Sequence, residues 1–211
     1  MHALLLCVDA QIPLSSEGDD VSSTTKATRT LNDVELPAPG KWILDPGHAE
    51  VAFIGRHFML TRVRGRFPGV EGAIDIADEP NESSLSIEIE MSSVHSGDQA
   101  RDDHLRSADF FDVKVHPKAT FTSTAIDWSG TTGQLSGLLV IRDVARPVDL
   151  DVEYLGHVED PWGNDRAAFS ASGRINREDW DLTWNMFLES GGVVVSKEID
   201  IDIQAEFVRE V

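Results

Sequence analysis

The 211-residue sequence contains a single cysteine, Cys7, so neither an intramolecular disulfide nor a cysteine-based metal cage can form. Basic residues are scarce: 18 Lys and Arg stand against 37 Asp and Glu, a formal net charge of -19. This charge repels phosphate backbones and anionic headgroups, and it argues against binding to nucleic acid or to a membrane surface. No run of about 18 apolar residues occurs, so the sequence predicts no membrane insertion.

The N-terminal region lacks the features of an export signal. In "MHALLLCVDA" no Lys or Arg precedes the apolar run, and the bulky Leu6 stands before Cys7. We therefore expect a cytoplasmic protein. Residues 1–39 are acidic, rich in Ser, Thr, Pro and Gly, and show no sustained period. This composition predicts a flexible extension that precedes one domain of residues 40–211.

From residue 41 onward, apolar and polar residues alternate. The stretch "SLSIEIEM" places four apolar residues on one face, and "EIDIDIQAEFV" does the same with five. A period of two with one dry face is typical of antiparallel strands. Further strand candidates are residues 41–44, 51–58, 63–76, 119–127, 134–142, 147–158 and 165–175. Turn signals separate them, among them "DPG" at 45–47, and residues 97–112 alone are predicted to be helical.

About eight one-sided strands must hide their edges and bury their dry faces together. A closed barrel does both, and a two-sheet sandwich is the alternative that the pattern leaves open. Small residues such as Gly55, Gly137 and Gly173 share the inward face with Phe53 and Phe169. Such a mixture fits either a filled core or a hollow interior that holds an apolar guest.

Five motifs occur in order between Trp42 and Phe207: "WILDPGHAEVAFIGRH", "VRGRF", "RDDHLRSADFFDVKVHPKATFTST", "GLLVIRDVARPVDLDVE" and "INREDWDLTWNMFLESGGVVVSKEIDIDIQAEF". Together they resemble the YceI-like family. The resemblance implies a closed, antiparallel, lipocalin-like β-barrel of about eight strands with one short helical lid. It also implies a tunnel for a long-chain isoprenoid, such as a polyprenyl phosphate or a prenyl quinone. The pair Trp180 and Asp181 departs from the family's Phe-Gly and would shorten the tunnel if Trp180 points inward.

The segment "RDDHLRSADFF" at 101–111 has three interpretations. Catalysis would use Asp102, Asp103 and His104, but no activated nucleophile accompanies them. A metal site would draw on His95, His104 and His116, whose spacing matches no standard zinc pattern. A lid fits best: the twin phenylalanines supply an apolar plug, and Asp102 and Arg106 stand four apart as an ion pair.

We therefore expect a lipid-binding protein without catalytic residues, metal or cofactor. The predicted ligand partner is a long-chain isoprenoid or another lipid, and a homodimer remains open. An enzyme acting on a bound lipid and a filled-core interaction protein are the alternatives. The expected head-group residues are Arg56, His57, His104 and Arg106. The expected tail contacts are the inward apolar residues Phe53, Phe58, Met59, Phe110, Phe111, Trp184, Met186 and Phe187. Arg62, Arg64 and Arg66 are expected to form an outer ladder with acidic neighbours.

Overall fold

The computed structural model describes residues 27–186 and 194–210, which form eleven β-strands, one α-helix and three short 3-10 helices. The α-helix, α1, is Gln99–Arg106, and the 3-10 helices are Pro80–Glu82, Met91–Ser93 and Arg177–Trp180. The strands are β1 Thr28–Leu31, β2 Val34–Pro37, β3 Gly40–His57, β4 Thr61–Phe67, β5 Val70–Ile76, β6 Ser84–Glu90, β7 Lys118–Ser129, β8 Thr132–Ile141, β9 Val144–Glu159, β10 Asp165–Asn176 and β11 Glu198–Arg209.

Strands β3 to β11 form one antiparallel sheet that closes on itself. Neighbours follow the order β11-β10-β9-β8-β7-β6-β5-β3-β4, and β11 also pairs with β3. Strand β4 pairs with the C-terminal half of β3 and β5 with its N-terminal part, so the two run as one strand interrupted at Pro68 and Gly69. The sheet is therefore an eight-stranded barrel, which confirms the predicted fold and excludes the sandwich.

Two local predictions were wrong. The "DPG" at 45–47 does not reverse the chain: β3 continues through it, and the register against β11 jumps from Ala49 opposite Ala205 to Leu44 opposite Phe207. Extra residues accommodated in this way form a bulge within a strand. Helix α1 is shorter than the predicted 97–112, because the hydroxyl of Ser107 donates to the carbonyl of His104 and ends the helix there.

Residues 27–39, on the N-terminal side of the predicted domain boundary, pack against the barrel. Strands β1 and β2 form a two-stranded hairpin in which Leu36 is buried. The Arg29 guanidinium donates to the carbonyl of Ala77, and Trp42 Nε1 donates to the carbonyl of Ala38 at 3.1 Å. The flexible extension predicted for residues 1–26 lies outside the described residues.

The barrel has two ends with different coverings. At the first, called the lid end, lie the β3–β4 turn, α1 with the loop that follows it, the β8–β9 turn and residues 177–186. At the opposite end, called the far end, lie the β1–β2 hairpin, the 3-10 helix at Pro80–Glu82 and the β9–β10 turn. In the part of the chain that is described, no helix is both long enough and apolar enough to cross a bilayer.

Candidate functional site

The barrel interior contains a cavity of about 620 Å³ whose walls are almost entirely apolar. The inward members of the alternating strands form its walls; examples are Val51, Phe53, Ile87, Ile201 and Ile203. Several of these side chains are only half-buried although they lie inside the barrel, because the cavity leaves their surface accessible. The volume lies within the range of about 300–1,000 Å³ that is typical of small-molecule sites. The interior is therefore hollow, and a filled core is excluded.

Glycines in the barrel wall keep the cavity open. Gly65 lies directly across from Phe53 in the β3–β4 ladder, and a Cβ added to it would overlap the Phe53 ring. Gly137 stands in the same relation to the Phe121 ring. Each ring therefore lies flat over a glycine of the neighbouring strand, an arrangement that covers exposed backbone with an aromatic face. Rings held against the wall leave the centre of the barrel empty.

The predicted tail residues divide into three groups. Phe53, Phe110, Phe111 and Trp184 line the cavity. Phe58, Met59 and Met186 do not: they are exposed at the lid end, so their predicted inward orientation is not found. Phe187 lies outside the described residues. Trp180 is fully buried with its Nε1 donating to the carbonyl of Leu139 at 3.0 Å, and it does not line the cavity, so it does not shorten it.

Helix α1 is anchored by two aspartates. Asp98 caps its N-terminus and accepts from the Arg101 amide at 2.8 Å. Asp102 is buried beneath the helix, where it accepts from the Ser96 amide at 2.8 Å, from the Ser96 hydroxyl and from the His95 ring. Burial acts to raise the pKa of Asp102, but these hydrogen bonds outweigh it and hold the pKa below its ordinary value. Asp102 therefore has a structural role.

Three aromatic rings cover the cavity at the lid end. The His104 ring on α1 lies 4.5 Å from the Trp184 ring and 5.0 Å from the Phe110 ring, both edge-to-face. His104 Nε2 also lies 3.1 Å from Asp109 Oδ2. Phe110 is held in turn by Arg142, whose Nη1 donates to its carbonyl at 3.0 Å. The predicted lid is therefore present, built from α1, the loop after it and residues 181–186.

The structure separates the four predicted head-group residues. Arg56, His57 and His104 line the cavity at its lid end. Arg106 does not: it donates to the carbonyls of Ser92 and Val94, and it pairs with Asp103 rather than with Asp102 as predicted. The reason is that Asp102 faces the core while Arg106 clamps α1 onto the chain before it. Whether any of these residues touches a ligand stays a prediction.

Sequence reasoning missed Arg177, a buried cation in the cavity wall. Its exposed fraction is 4 %, and it lines the cavity beside Leu182 and Trp184. Its Nε donates to the carbonyl of Ser196 and its Nη1 to that of Leu182, whereas Nη2 has no hydrogen-bond partner in the described residues. Burial lowers the pKa of Arg177. The signal was present in "INREDW", where an arginine directly follows an alternating strand.

The histidines proposed as metal ligands are held apart in separate pairs. His95 pairs with Asp102, His104 with Asp109, and His116 with Asp143 at 3.0 Å. Among the described residues, one group has the geometry to hold an ion: Asp45, His48 and Glu206 on the outer barrel wall. Arg166 already occupies it, since its Nη1 lies 2.6 Å from Asp45 Oδ2 and 3.2 Å from Glu206 Oε2. This group is an ion-pair network across strands.

Comparison with known proteins agrees with this architecture. The family model of the YceI-like domain matches residues 42–207. A UPF0312 protein of Pectobacterium carotovorum is 34% identical over 176 residues, which cover 83% of this chain and 88% of that protein.

Solved structures share the barrel. BcnA of Burkholderia cenocepacia superposes with a TM-score of 0.67 at 21% identity, covering 77% of this chain and 98% of BcnA. A domain from Saccharophagus degradans, described as a polyisoprenoid binding domain implicated in plant cell wall breakdown, has a TM-score of 0.60 at 18% identity and covers 80% of this chain and 98% of that one. These two likenesses show the fold. From the match of the family model over most of its length, this chain belongs to the YceI-like domain family.

Proposed function

We propose that the barrel binds a long-chain isoprenoid or a similar amphiphile, with the tail in the cavity and the head group at the lid end. The observation that carries the proposal is the apolar cavity of about 620 Å³ with cationic donors at one end. The likeness to the polyisoprenoid binding domain of Saccharophagus degradans supports the same ligand class.

Arg177 favours a head group that accepts hydrogen bonds. A buried guanidinium without a carboxylate partner is costly unless an acceptor compensates its charge. Arg56, His57, Arg101 and His104 line the same end of the cavity. A phosphate or a quinone oxygen would supply the missing acceptor, and a phosphate matches the planar fork of arginine in two places.

The tail supplies most of the affinity. Each CH₂ group transferred from water to an apolar site contributes about 0.8 kcal/mol, so several isoprene units outweigh a few polar contacts. The walls described here hold few polar groups away from the two ends. We therefore expect tolerance of different head groups and strong dependence of the affinity on tail length.

The proposed role is carriage or sequestration without chemistry, in the cytoplasm, where location is tested by cell fractionation. The alternative is an enzyme that acts on the bound lipid through His104, whose ring contacts Trp184 and pairs with Asp109. Turnover of a bound prenyl compound that disappears in His104→Ala while binding persists would establish that alternative.

The deciding experiment is mass spectrometry of an organic extract of the protein purified without detergent, together with the native mass of the intact chain. One long-chain species per chain would support the proposal and identify the ligand class. A protein that is empty, and that also fails to take up added prenyl quinone and prenyl phosphate, would refute it. The native mass also tests the homodimer, which stays a prediction.

A further inference from the structure

The β3–β4 turn at the lid end exposes three consecutive large apolar side chains. Phe58 is 44% exposed, Met59 52% and Leu60 79%, and Met186 beside them is 57% exposed. A cluster of exposed large apolar side chains on one small protrusion is unusual for a globular surface and marks an interaction site. We call Phe58, Met59 and Leu60 the apolar tip.

The backbone of the apolar tip has a conformation that its residues disfavour. Phe58 and Met59 both have positive φ, 52° and 60°. The β1–β2 turn has the same pair of positive φ values at Asn32 and Asp33, residue types that adopt this conformation readily. Bulky residues in the left-handed region are strained, and such strain tends to persist where it serves a function. The turn therefore presents large side chains where folding alone would favour Asn or Gly.

Unpaired arginines flank the apolar tip. Arg56 and Arg62 are cross-strand partners in the β3–β4 ladder, so two positive charges share one face side by side. Both are exposed, and in residues 27–186 and 194–210 neither has an ion-pair partner. Arg64 and Arg66, further along β4, pair with Glu50 as the predicted ladder requires. The positive charge next to the tip is thus left available.

The apolar tip adjoins the cavity wall. The Phe58 amide donates to the carbonyl of Val194 at 2.9 Å, and the Phe58 and His57 rings lie 3.9 Å apart. His57 and Val194 line the cavity at its lid end. A surface docked on the tip therefore lies next to the end of the cavity where the head-group donors are.

We propose that the apolar tip docks this barrel onto anionic lipid bilayers, with Phe58, Met59 and Leu60 inserted between headgroups and with Arg56 and Arg62 against lipid phosphates. The apolar protrusion flanked by arginines matches an interface that is apolar below and negative at its surface. Docking itself does not rest on the proposed lipid binding, which only gives it a purpose.

A bilayer suits the tip better than a protein partner does. Stable protein interfaces bury about 800 Å² per partner over a broad face, whereas the tip is a protruding turn of three residues. The chain-wide charge of -19, which predicted no membrane-surface binding, acts weakly here because charges separated by more than a Debye length of about 8 Å are screened at physiological salt.

The test is cosedimentation of the full chain with vesicles of phosphatidylcholine, alone and mixed with phosphatidylserine. The double variant Phe58→Asn, Met59→Gly removes two inserted side chains and relieves the turn. We expect a raised Tm together with a loss of vesicle partitioning of about tenfold or more. The matched control is Trp162→Ser, which removes a side chain that is 81% exposed at the far end and should partition as the unmodified chain does.

Arg62→Glu separates the charge contribution from the apolar one. We expect it to abolish the preference for phosphatidylserine vesicles and the salt dependence of binding. Equal partitioning of the unmodified chain and the double variant would overturn the proposal, as would no binding to either vesicle. Self-association that the double variant abolishes, measured by sedimentation velocity without vesicles, would assign the tip to a second copy instead. None of these results depends on whether the cavity holds a lipid.

Discussion

Arg177 combines a structural task with an unmet hydrogen-bonding capacity. Its Nε and Nη1 hold the carbonyls of Ser196 and Leu182, and its Nη2 is unpaired in the described residues. The two satisfied bonds explain why an arginine is tolerated in the wall of an apolar cavity. The unpaired nitrogen is what a head-group acceptor would use, since a buried donor without a partner costs about 1–3 kcal/mol.

We predict that Arg177→Met weakens the binding of geranylgeranyl phosphate about tenfold or more and that of geranylgeraniol much less. A charge-assisted hydrogen bond contributes about 1.5–3 kcal/mol, and only the phosphate makes one. Isothermal titration with both ligands measures the ratio. Arg146→Met is the control, because Arg146 donates to the carbonyl of Asp179 at the same end without lining the cavity. Equal losses for both ligands would mean that Arg177 is only structural.

Gly65 is predicted to be essential for the cavity volume. In Gly65→Ala the new methyl overlaps the Phe53 ring, which must turn away from the wall and into the cavity. Overpacking of this kind costs about 1–3 kcal/mol. We expect a lower free energy of unfolding in urea and a shorter maximum tail among the lipids bound.

Gly55→Ala is the graded comparison for Gly65→Ala. A Cβ at Gly55 would lie 3.3 Å from Cδ1 of Ile199, the movable end of a flexible side chain. It should therefore cost less than Gly65→Ala in unfolding free energy. If Gly55→Ala destabilised the protein as much, packing against Phe53 would not be the reason for the glycine at position 65.

Residue identities predicted the cavity wall better than its ends. Phe53 is placed on the inward face by the period of two alone, and the structure agrees. Phe58 and Met59 follow the same strand, yet the turn releases them from the alternation and directs them outward. The resemblance supplied the lid, but nothing in the pattern indicated that Asp102 would be buried while Arg106 clamps two carbonyls. Such choices depend on contacts between segments that are distant in sequence.

Helix α1 depends on a buried carboxylate beneath it. Asp102→Asn keeps the shape but removes a charge that accepts from the Ser96 amide and hydroxyl. We predict a loss of about 1.5–3 kcal/mol in the free energy of unfolding, measured by urea titration. Asp103→Asn next to it, which removes an exposed carboxylate, should change that free energy by less than about 0.5 kcal/mol. Similar losses in both variants would contradict the anchoring role of Asp102.

The seam between β3, β11 and β10 closes the barrel, and an ion-pair network crosses it. Arg166 on β10 contacts Asp45 on β3 and Glu206 on β11, and it also contacts the buried Asp160. The hydrogen bond from Arg166, followed by that from His48, lowers the pKa of Asp45 from 3.8 to about 2. The bulge at residues 45–48, which sequence reasoning interpreted as a turn, is what brings Asp45 to this position.

This network predicts how stability depends on pH. A carboxyl whose pKa is lower in the folded state stabilises the fold above its unfolded pKa, and that contribution is lost as the pH falls through the folded pKa. For Asp45 the window is therefore about pH 4 to 2, and the loss is about 1–2 kcal/mol. Asp45→Asn should flatten the fall of Tm in this window, whereas Asp151→Asn, at an exposed position on β9, should not. Identical pH profiles for the two variants would rule out this origin.

A hollow barrel gives up part of the stabilisation that a filled core of the same size would have. Side chains such as Ile87, Ile201 and Ile203 are only half-buried around the cavity, so their apolar surface is removed from water only when a guest is present. The cavity lining was predictable from alternation and the closed barrel from the resemblance. The cavity volume was not, because it depends on which rings lie flat over glycines.

Ligand removal should therefore destabilise the whole molecule rather than one element. A ligand that binds only the folded state at a free concentration of 100 times its Kd adds about 2.7 kcal/mol to the free energy of unfolding. For a domain of this size that amounts to a rise in Tm of about 5–10 °C. We expect delipidated protein to melt lower by this amount, and added prenyl lipid to restore its Tm in proportion to tail length. A head group without a tail, such as inorganic pyrophosphate, should restore little. If it restored as much as the full lipid, the stabilising contacts would lie at the lid end and not in the cavity.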